Sequence, residues 1–329
     1  MIISRTPLRM SFVGGGSDMP GYYRRHGGAV LSTAIDKYIY VTINKKFDDE
    51  LRLSYSKTEN VKSTSEIEHQ LVRACLSRYG IDGGLEISTV ADIPSKGTGL
   101  GSSSSFTVAF LHCLHAYLGR HVSNEMLGAE ASDIEINVCG EPIGKQDQYA
   151  AAYGGFNFYE FNSDESVKVS PLITRSETLS TLKDNLLMFY TGITRSASNL
   201  LHKQNEEIIS SKRKQDALKS MVSLAYILRD ELQNNNTHVF GEILHENWLL
   251  KKSLVTEISN SNIDDWYQRA IDAGAVGGKI LGAGAGGFLI FYAEKERHPE
   301  IIRQLNDLRC INFNFEKNGS QIIFYNPTN

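Results

Sequence analysis

Cysteine is scarce in this 329-residue chain: four residues, Cys75, Cys113, Cys139 and Cys310, scattered and never in a Cys-x-x-Cys spacing. That argues against a disulfide framework and predicts reduced thiols. Long apolar runs are missing too. No stretch approaches the roughly 20 residues of a membrane-crossing helix, and the first residues lack the pattern of an export signal. Nor does one sign of charge dominate: 34 basic side chains face 38 acidic ones, a formal net charge of −4. Nucleic acid and anionic membranes find no electrostatic pull here. The short basic run Lys212, Arg213 and Lys214 falls in a helical pattern and reads as a solvated face. Internal repeats and low-complexity linkers are absent. These absences predict a cytoplasmic protein working on soluble partners, without nucleic acid or membrane, and leave its oligomeric state open.

What is present suits a folded enzyme. The composition is 41% hydrophobic and 22% charged, and the length allows two modest domains, with a change somewhere around residues 160–185. Alternation at Leu8, Met10 and Phe12 predicts a strand that ends at Gly14, Gly15 and Gly16. Further strands are expected over 35–43, 85–90, 186–190 and 288–292, with two more closing the chain. Phe106, Ala109, Phe110, Cys113, Leu114 and Tyr117 follow helical spacing and predict an amphipathic helix. On that wheel His112 and His115 fall opposite the apolar stripe and read as solvated. A second helix is expected over 124–138, with Leu127, Ala131, Ile134 and Val138 inward. A long helix should carry Leu218 to Leu232, and another Ile243, Leu244, Leu254 and Ile258. Shorter helices are expected around Trp266 and over 299–308.

The strongest local signal lies between a strand and a helix, where Gly97, Gly99 and Gly101 alternate and Ser102, Ser103, Ser104 and Ser105 follow. Glycines let a backbone close on an anion, and the helix start behind them offers unpaired N–H groups and a positive dipole end. This is not a Walker A loop, because no Gly-Lys-Ser/Thr closes it. Serine hydroxyls stand there instead, able to bond phosphate oxygens or ligate Mg²⁺. A second glycine cluster, Gly282 to Gly287, satisfies G-x-G-x-x-G, with Asp307 at the distance that a dinucleotide fingerprint asks for. The fingerprint needs a helix directly after it. Here the residues from Phe288 to Tyr292 read as a buried strand, so the cluster reads as a tight turn.

Phosphoryl transfer needs held phosphates, neutralised charge and a placed hydroxyl, so carboxylates should accompany the loop. Asp147 follows a break at Gly144 and can be aimed into a cleft. Glu135 lies at one edge of a buried stripe. Asp18, after the triple glycine, is a further candidate, or else caps a turn before Gly21.

Three motifs in order resemble the GHMP kinases (galactokinase, homoserine, mevalonate and phosphomevalonate kinases) over nearly the whole chain. They are the N-terminal run from Arg5 to Asp18, the loop Gly99, Leu100, Gly101, Ser102, Ser103, and the glycine cluster at 282–287. The resemblance implies an α+β fold of two domains, residues 1–175 binding ATP and residues 176–329 completing the enzyme, with the active site in the cleft between them. It implies ATP and Mg²⁺. Gly97, Thr98, Gly99, Leu100, Gly101, Ser102, Ser103, Ser104 and Ser105 would hold the nucleotide phosphates. Ser103 and Glu135 would ligate the metal, and Asp147 would accept or orient the hydroxyl proton. The loop at 282–287 would buttress the phosphate loop. The Gly14 to Asp18 form, with Gly144 to Gln148 and Thr191 to Arg195, is most similar to the branch that phosphorylates D-glycero-α-D-manno-heptose 7-phosphate at its anomeric hydroxyl. Arg9, Gly16, Ser17 and Asp18 would then shape the sugar site. Lys145, Arg195, Arg24 and Arg25 are available for the sugar's own phosphate. Fucose kinases share much of the pattern, so another sugar is the alternative. A non-catalytic sugar or nucleotide sensor would be expected to lose Asp147 and Glu135.

Overall fold

The alternation at Leu8, Met10 and Phe12 is the end of a longer strand. In the computed structural model, which describes residues 1–94, 97–194 and 197–327, β1 (Ile2–Val13) pairs antiparallel with β2 (Gly28–Lys45). Their register slips between Pro7 and Leu8 and again between Ser11 and Val13. Proline has no N–H for a ladder, so the first slip falls at the residue least able to hold register. On its other edge β2 meets β5 (Leu85–Ala91) along its second half and β6 (Phe156–Phe161) along its first. β3 (Leu51–Ser54) joins β5 in parallel, β4 (Thr58–Val61) joins β3, and β7 (Val167–Pro171) joins β6.

A second sheet has the order β11-β8-β10-β9, from β8 (Leu186–Tyr190), β9 (Gly277–Ile280), β10 (Phe288–Tyr292) and β11 (Arg309–Cys310). The chain then returns. β12 (Phe315–Glu316) pairs with β2, and β13 (Gln321–Tyr325) pairs with β1. The span 176–329 therefore does not keep to one sheet, because its last strands complete the first.

Helices α1 (Pro20–His26), α2 (Gln70–Arg78), α3 (Ser102–Tyr117), α4 (Asn124–Ser132) and α5 (Gln146–Tyr153) belong to the first half. The second half contributes α6 (Ser176–Asp184), α7 (Ala197–Ser210), α8 (Lys212–Gln233), α9 (Phe240–Lys252), α10 (Ser261–Asp272) and α11 (His298–Gln304). The main core gathers Met10, Phe12, Val41, Val108, Phe110 and Leu114 with α8 and α9 residues such as Leu228 and Phe240.

Three local expectations are corrected. The central helix α3 is buried nearly all round rather than amphipathic. His115 is therefore not solvated: its Nε2 lies 3.0 Å from Tyr79 Oη and 2.8 Å from Glu130 Oε2, while His112 Nδ1 meets Ser320 Oγ at 2.9 Å. The absence of any Asp, Glu, Lys or Arg between Ser102 and Leu118 is the signal for that burial. Leu254 and Ile258 lie beyond the end of α9, the latter in a short 3₁₀ turn. Finally, Lys212 opens α8 directly after a separate helix, α7, which the sequence reading did not distinguish; Lys214 there pairs with Glu207.

Candidate active site

The phosphate loop is fastened to β1 by backbone and side chains together. The Arg9 N–H donates to the Leu100 carbonyl at 3.1 Å, Arg9 Nη1 donates to the Gly99 carbonyl at 2.7 Å, and Ser105 Oγ donates to the Pro7 carbonyl at 2.9 Å. Gly101 (φ 74°) caps α3 in a left-handed conformation, which a side chain resists. Gly99 is required by proximity as well. A Cβ there would lie 2.2 Å from the Leu281 carbonyl oxygen, and one on Gly282 would lie 2.4 Å from Gly99 Cα. The two glycine loops thus touch backbone to backbone, and β10 follows the second of them as a buried strand. A buttress, not a dinucleotide turn, is what this contact makes.

The serines divide their work. Ser103 is exposed in the cleft. Ser102 Oγ meets Thr98 Oγ1 at 3.1 Å, and Ser104 Oγ donates to Glu135 Oε2 at 2.7 Å. Leu100 and Ser105 are fully buried. Of these two expected phosphate ligands, Leu100 can serve only through its backbone, and Ser105 does not serve: its hydroxyl holds the loop to Pro7 and its N–H donates to the Gly101 carbonyl at 2.9 Å.

Asp147 sits in the first turn of α5. Both of its oxygens accept from Arg9, Oδ1 from Nε and Oδ2 from Nη2, each at 2.8 Å. The Arg9 side chain is 4% exposed and that of Asp147 24%, so a buried fork orients a carboxylate that still faces the cleft. Gly101 makes room for it: a Cβ there would come within 3.3 Å of Asp147 Oδ2. Arg9, expected in the sugar site, is mainly the clamp on this aspartate and on the phosphate loop.

Glu135 is 1% exposed. It lies in one wide helical turn after α4, where the Cys139 N–H reaches back five residues to the Ile134 carbonyl at 2.9 Å. Such turns often mark functional positions. Its oxygens accept from Ser104, from Thr107 Oγ1 at 2.9 Å, and from Gln148. Burial pushes the Glu135 carboxyl up to about 7, against those hydrogen bonds, and the Asp147 charge adds to the push.

The turn after β1 is organised by Asp18, which is 2% exposed. Its carboxylate accepts from Gly16 N at 2.9 Å, Gln146 N at 3.2 Å and Gln146 Nε2 at 3.0 Å. Burial raises its pKa, and the Asp147 charge does the same. A Cβ on Gly144 would fall 1.9 Å from Asp18 Oδ2, which explains the glycine break before Asp147. Ser17 Oγ is committed to the Gly14 and Ala29 carbonyls. Asp18 and Ser17 therefore shape the turn through its backbone.

The candidates for the sugar phosphate fare differently. Lys145 Nζ donates to the Glu165 carboxylate at 2.5 Å, and Arg24 Nε to the same carboxylate at 2.6 Å. Both are already paired outside the cleft lining. Arg195 lies outside the described residues.

Two lysines escaped the sequence reading. Lys251 of α9 and Lys279 of β9 are buried, at 5% and 1% exposure. Lys279 Nζ donates to the Ser11 and Phe12 carbonyls at 2.9 Å, and Lys251 Nζ to the Gly282 carbonyl at 2.9 Å. Burial pushes Lys251 down to about 8; the Asp18 charge opposes this, Arg9 reinforces it and Asp147 opposes it. No local pattern marks either lysine, because their partners lie far away in sequence.

These elements border one cleft of about 870 Å³, lined by Gly97, Thr98, Ser103, Glu135 and Asp147 and by the rings of Tyr55, His69 and Phe106. A hollow of similar volume, about 830 Å³, lies against α2 around Arg73, Arg78 and Cys139. It has neither glycine loop nor catalytic-type carboxylate, so chemistry rather than size selects the first.

The protein-family model for the N-terminal domain of GHMP kinases matches residues 61–155, and the one for their C-terminal domain matches residues 228–308. A D-glycero-alpha-D-manno-heptose 7-phosphate kinase of Campylobacter jejuni is 30% identical over 333 residues, covering 97% of each chain. A bifunctional fucokinase/GDP-fucose pyrophosphorylase of Arabidopsis thaliana is 28% identical over 91% of this chain and 30% of its own length. The crystal structure of a D-glycero-D-manno-heptose 1-phosphate kinase from Bacteroides thetaiotaomicron superposes with a TM-score of 0.80, at 27% identity over 98% of both chains. The first family match spans the phosphate loop and both carboxylates, and the second spans the buttressing glycines. This chain belongs to the GHMP kinases, and it is an ATP-dependent phosphotransferase.

Proposed function

We propose that this kinase transfers the terminal phosphoryl group of ATP to the anomeric hydroxyl of D-glycero-α-D-manno-heptose 7-phosphate, giving the 1,7-bisphosphate and ADP. The observation that carries the reading is the Asp147 carboxylate, forked by Arg9 and lying directly against Gly101 of the phosphate loop. The heptose 7-phosphate kinase of Campylobacter jejuni, similar over 97% of both chains, supports the choice of sugar.

In this reading the loop amides and the start of α3 hold the nucleotide phosphates, while the base packs among Tyr55, His69 and Phe106. Asp147 orients the sugar hydroxyl for in-line attack and accepts its proton as the new P–O bond forms and the bond to ADP breaks. Arg9 keeps that carboxylate aimed. The oxygen-rich donor set fits Mg²⁺: a buried Glu135 with no cationic partner among its hydrogen bonds, and an exposed Ser103 hydroxyl facing the same cleft. Among the described residues no three or more His, Cys, Asp or Glu side chains form a complete cage. Glu135 and Ser103 would hold the ion together with nucleotide oxygens. Its chemistry there would be to offset charge on the phosphates.

ADP release measured over a panel of sugars, each with and without a distal phosphate, tests the proposal. The heptose 7-phosphate should be turned over with the highest kcat/KM. Preferred turnover of free fucose or another unphosphorylated sugar would overturn it in favour of the alternative substrate.

A further inference from the structure

Buried polar atoms without partners are rare in folded proteins, yet several converge on the turn after β1. Gln204 of α7 is 0% exposed, and neither its Nε2 nor its Oε1 has a hydrogen-bond partner among the described residues. Its amide faces Gly16: a Cβ on that glycine would lie 2.7 Å from Gln204 Nε2. Next door, a Cβ on Gly15 would lie 3.4 Å from Ser11 Oγ and 3.9 Å from Gln146 Oε1. Those two oxygens also lack partners among the described residues.

The atoms left open include both donors and acceptors. Gln204 offers an N–H₂ and a carbonyl oxygen, Ser11 a hydroxyl, and Gln146 a carbonyl oxygen. An anion would satisfy donors only. A polyhydroxylated ligand satisfies both kinds, since each hydroxyl donates one hydrogen bond and accepts others. The cluster adjoins Asp18, whose carboxylate positions Gln146, and Gln146 directly precedes Asp147.

We propose that Gln204 is a sugar-recognition residue whose amide, with Ser11 Oγ and Gln146 Oε1, hydrogen-bonds hydroxyls of the substrate seated against Gly15 and Gly16. The inference rests on the sugar-kinase reading above and deepens it. It brings α7 into the specificity site, although no sequence motif marks that helix.

Gln204→Leu and the unbranched Gln204→Met test it through steady-state kinetics and ligand-induced shifts in Tm. The sugar KM should rise roughly 10- to 100-fold, as when buried polar groups lose a hydroxyl partner. The ATP KM should stay within about 2-fold, since Gln204 is not among the residues lining the cleft that the phosphate loop borders. The sugar's stabilising shift should vanish while that of the nucleotide persists. An unchanged sugar KM in a folded variant with a lowered Tm overturns the proposal and makes Gln204 a packing or water-binding residue. Hydrogen exchange on the unaltered enzyme serves even if both variants fail to fold: sugar should slow exchange in α7 and nucleotide alone should not. No slowing with sugar would overturn the assignment. A wild-type enzyme that turns over no sugar defeats the proposed function and this inference together, whereas sugar turnover with an indifferent Gln204 defeats this inference alone.

Discussion

Asp147 and Glu135 border the same cleft, and their surroundings are opposite. Asp147 is partly open and gripped by a charged fork, whereas Glu135 is sealed and, among the described residues, held by two hydroxyls and an amide. A charged clamp fixes the direction of a carboxylate without hiding it, which suits a group that must meet an incoming hydroxyl. Neutral donors leave the charge of Glu135 largely uncompensated, and its raised pKa records this. That suits a group whose charge is to be answered by a cation arriving with the nucleotide. Two acids of similar chemistry are thus given different electrostatic surroundings by their neighbours alone.

The comparison can be broken most decisively at Asp147. Asp147→Asn should lower kcat by roughly two to four orders of magnitude while nucleotide Kd is largely kept; near-normal turnover would remove it from the chemistry. Arg9→Lys keeps the charge and loses the fork. It should lower kcat by about 10- to 100-fold, with a smaller rise in the ATP KM from the lost bond to the Gly99 carbonyl. A variant in which only the ATP KM moves would make Arg9 a nucleotide ligand instead.

The smallest effect concerns Glu135 and appears in stability. Its folded pKa, about 7, stands above the ordinary 4.5, so the folded state binds this proton more tightly than the unfolded chain. That contribution is complete below about pH 4.5 and is lost as pH rises through 7, some 3 kcal/mol in all. Glu135→Gln should therefore gain in Tm relative to the parent between pH 5 and pH 8, by several degrees. Mg²⁺ with nucleotide should narrow that gap. Parallel Tm profiles for the two proteins would contradict the buried, uncompensated charge.

Much of this site is legible in one dimension. Gly97, Gly99 and Gly101 stand between a strand and a helix, and the strand at 288–292 was enough to separate the second glycine cluster from a dinucleotide turn. Asp147 was marked by the break at Gly144, although the reason for the break, the Asp18 carboxylate packed against it, needed three dimensions. Glu135 looked like a residue on a stripe's edge because a regular helical wheel cannot show a widened turn. Lys251, Lys279 and Gln204 leave no local trace, and the N-terminal motif marks Arg9 without showing that it grips Asp147. Lys279, for example, meets Ser11 across 268 positions, and spacing rules reach only a few residues along a helix or strand. The buried state of α3 was legible through its lack of charge, but apolar spacing alone suggested a half-exposed helix.

The return of β13 to the edge of β1 has a consequence for how the enzyme is made. Arg5 is joined to Gln321 across 316 positions, and the strand that carries Arg9 is among the first segments to leave the ribosome. One of its two neighbours in the sheet, β13, emerges only after both glycine loops have been translated. The first sheet therefore cannot be completed vectorially, as the chain grows. Its outer edge is closed late and over a long range, against the segment Ile2–Arg5.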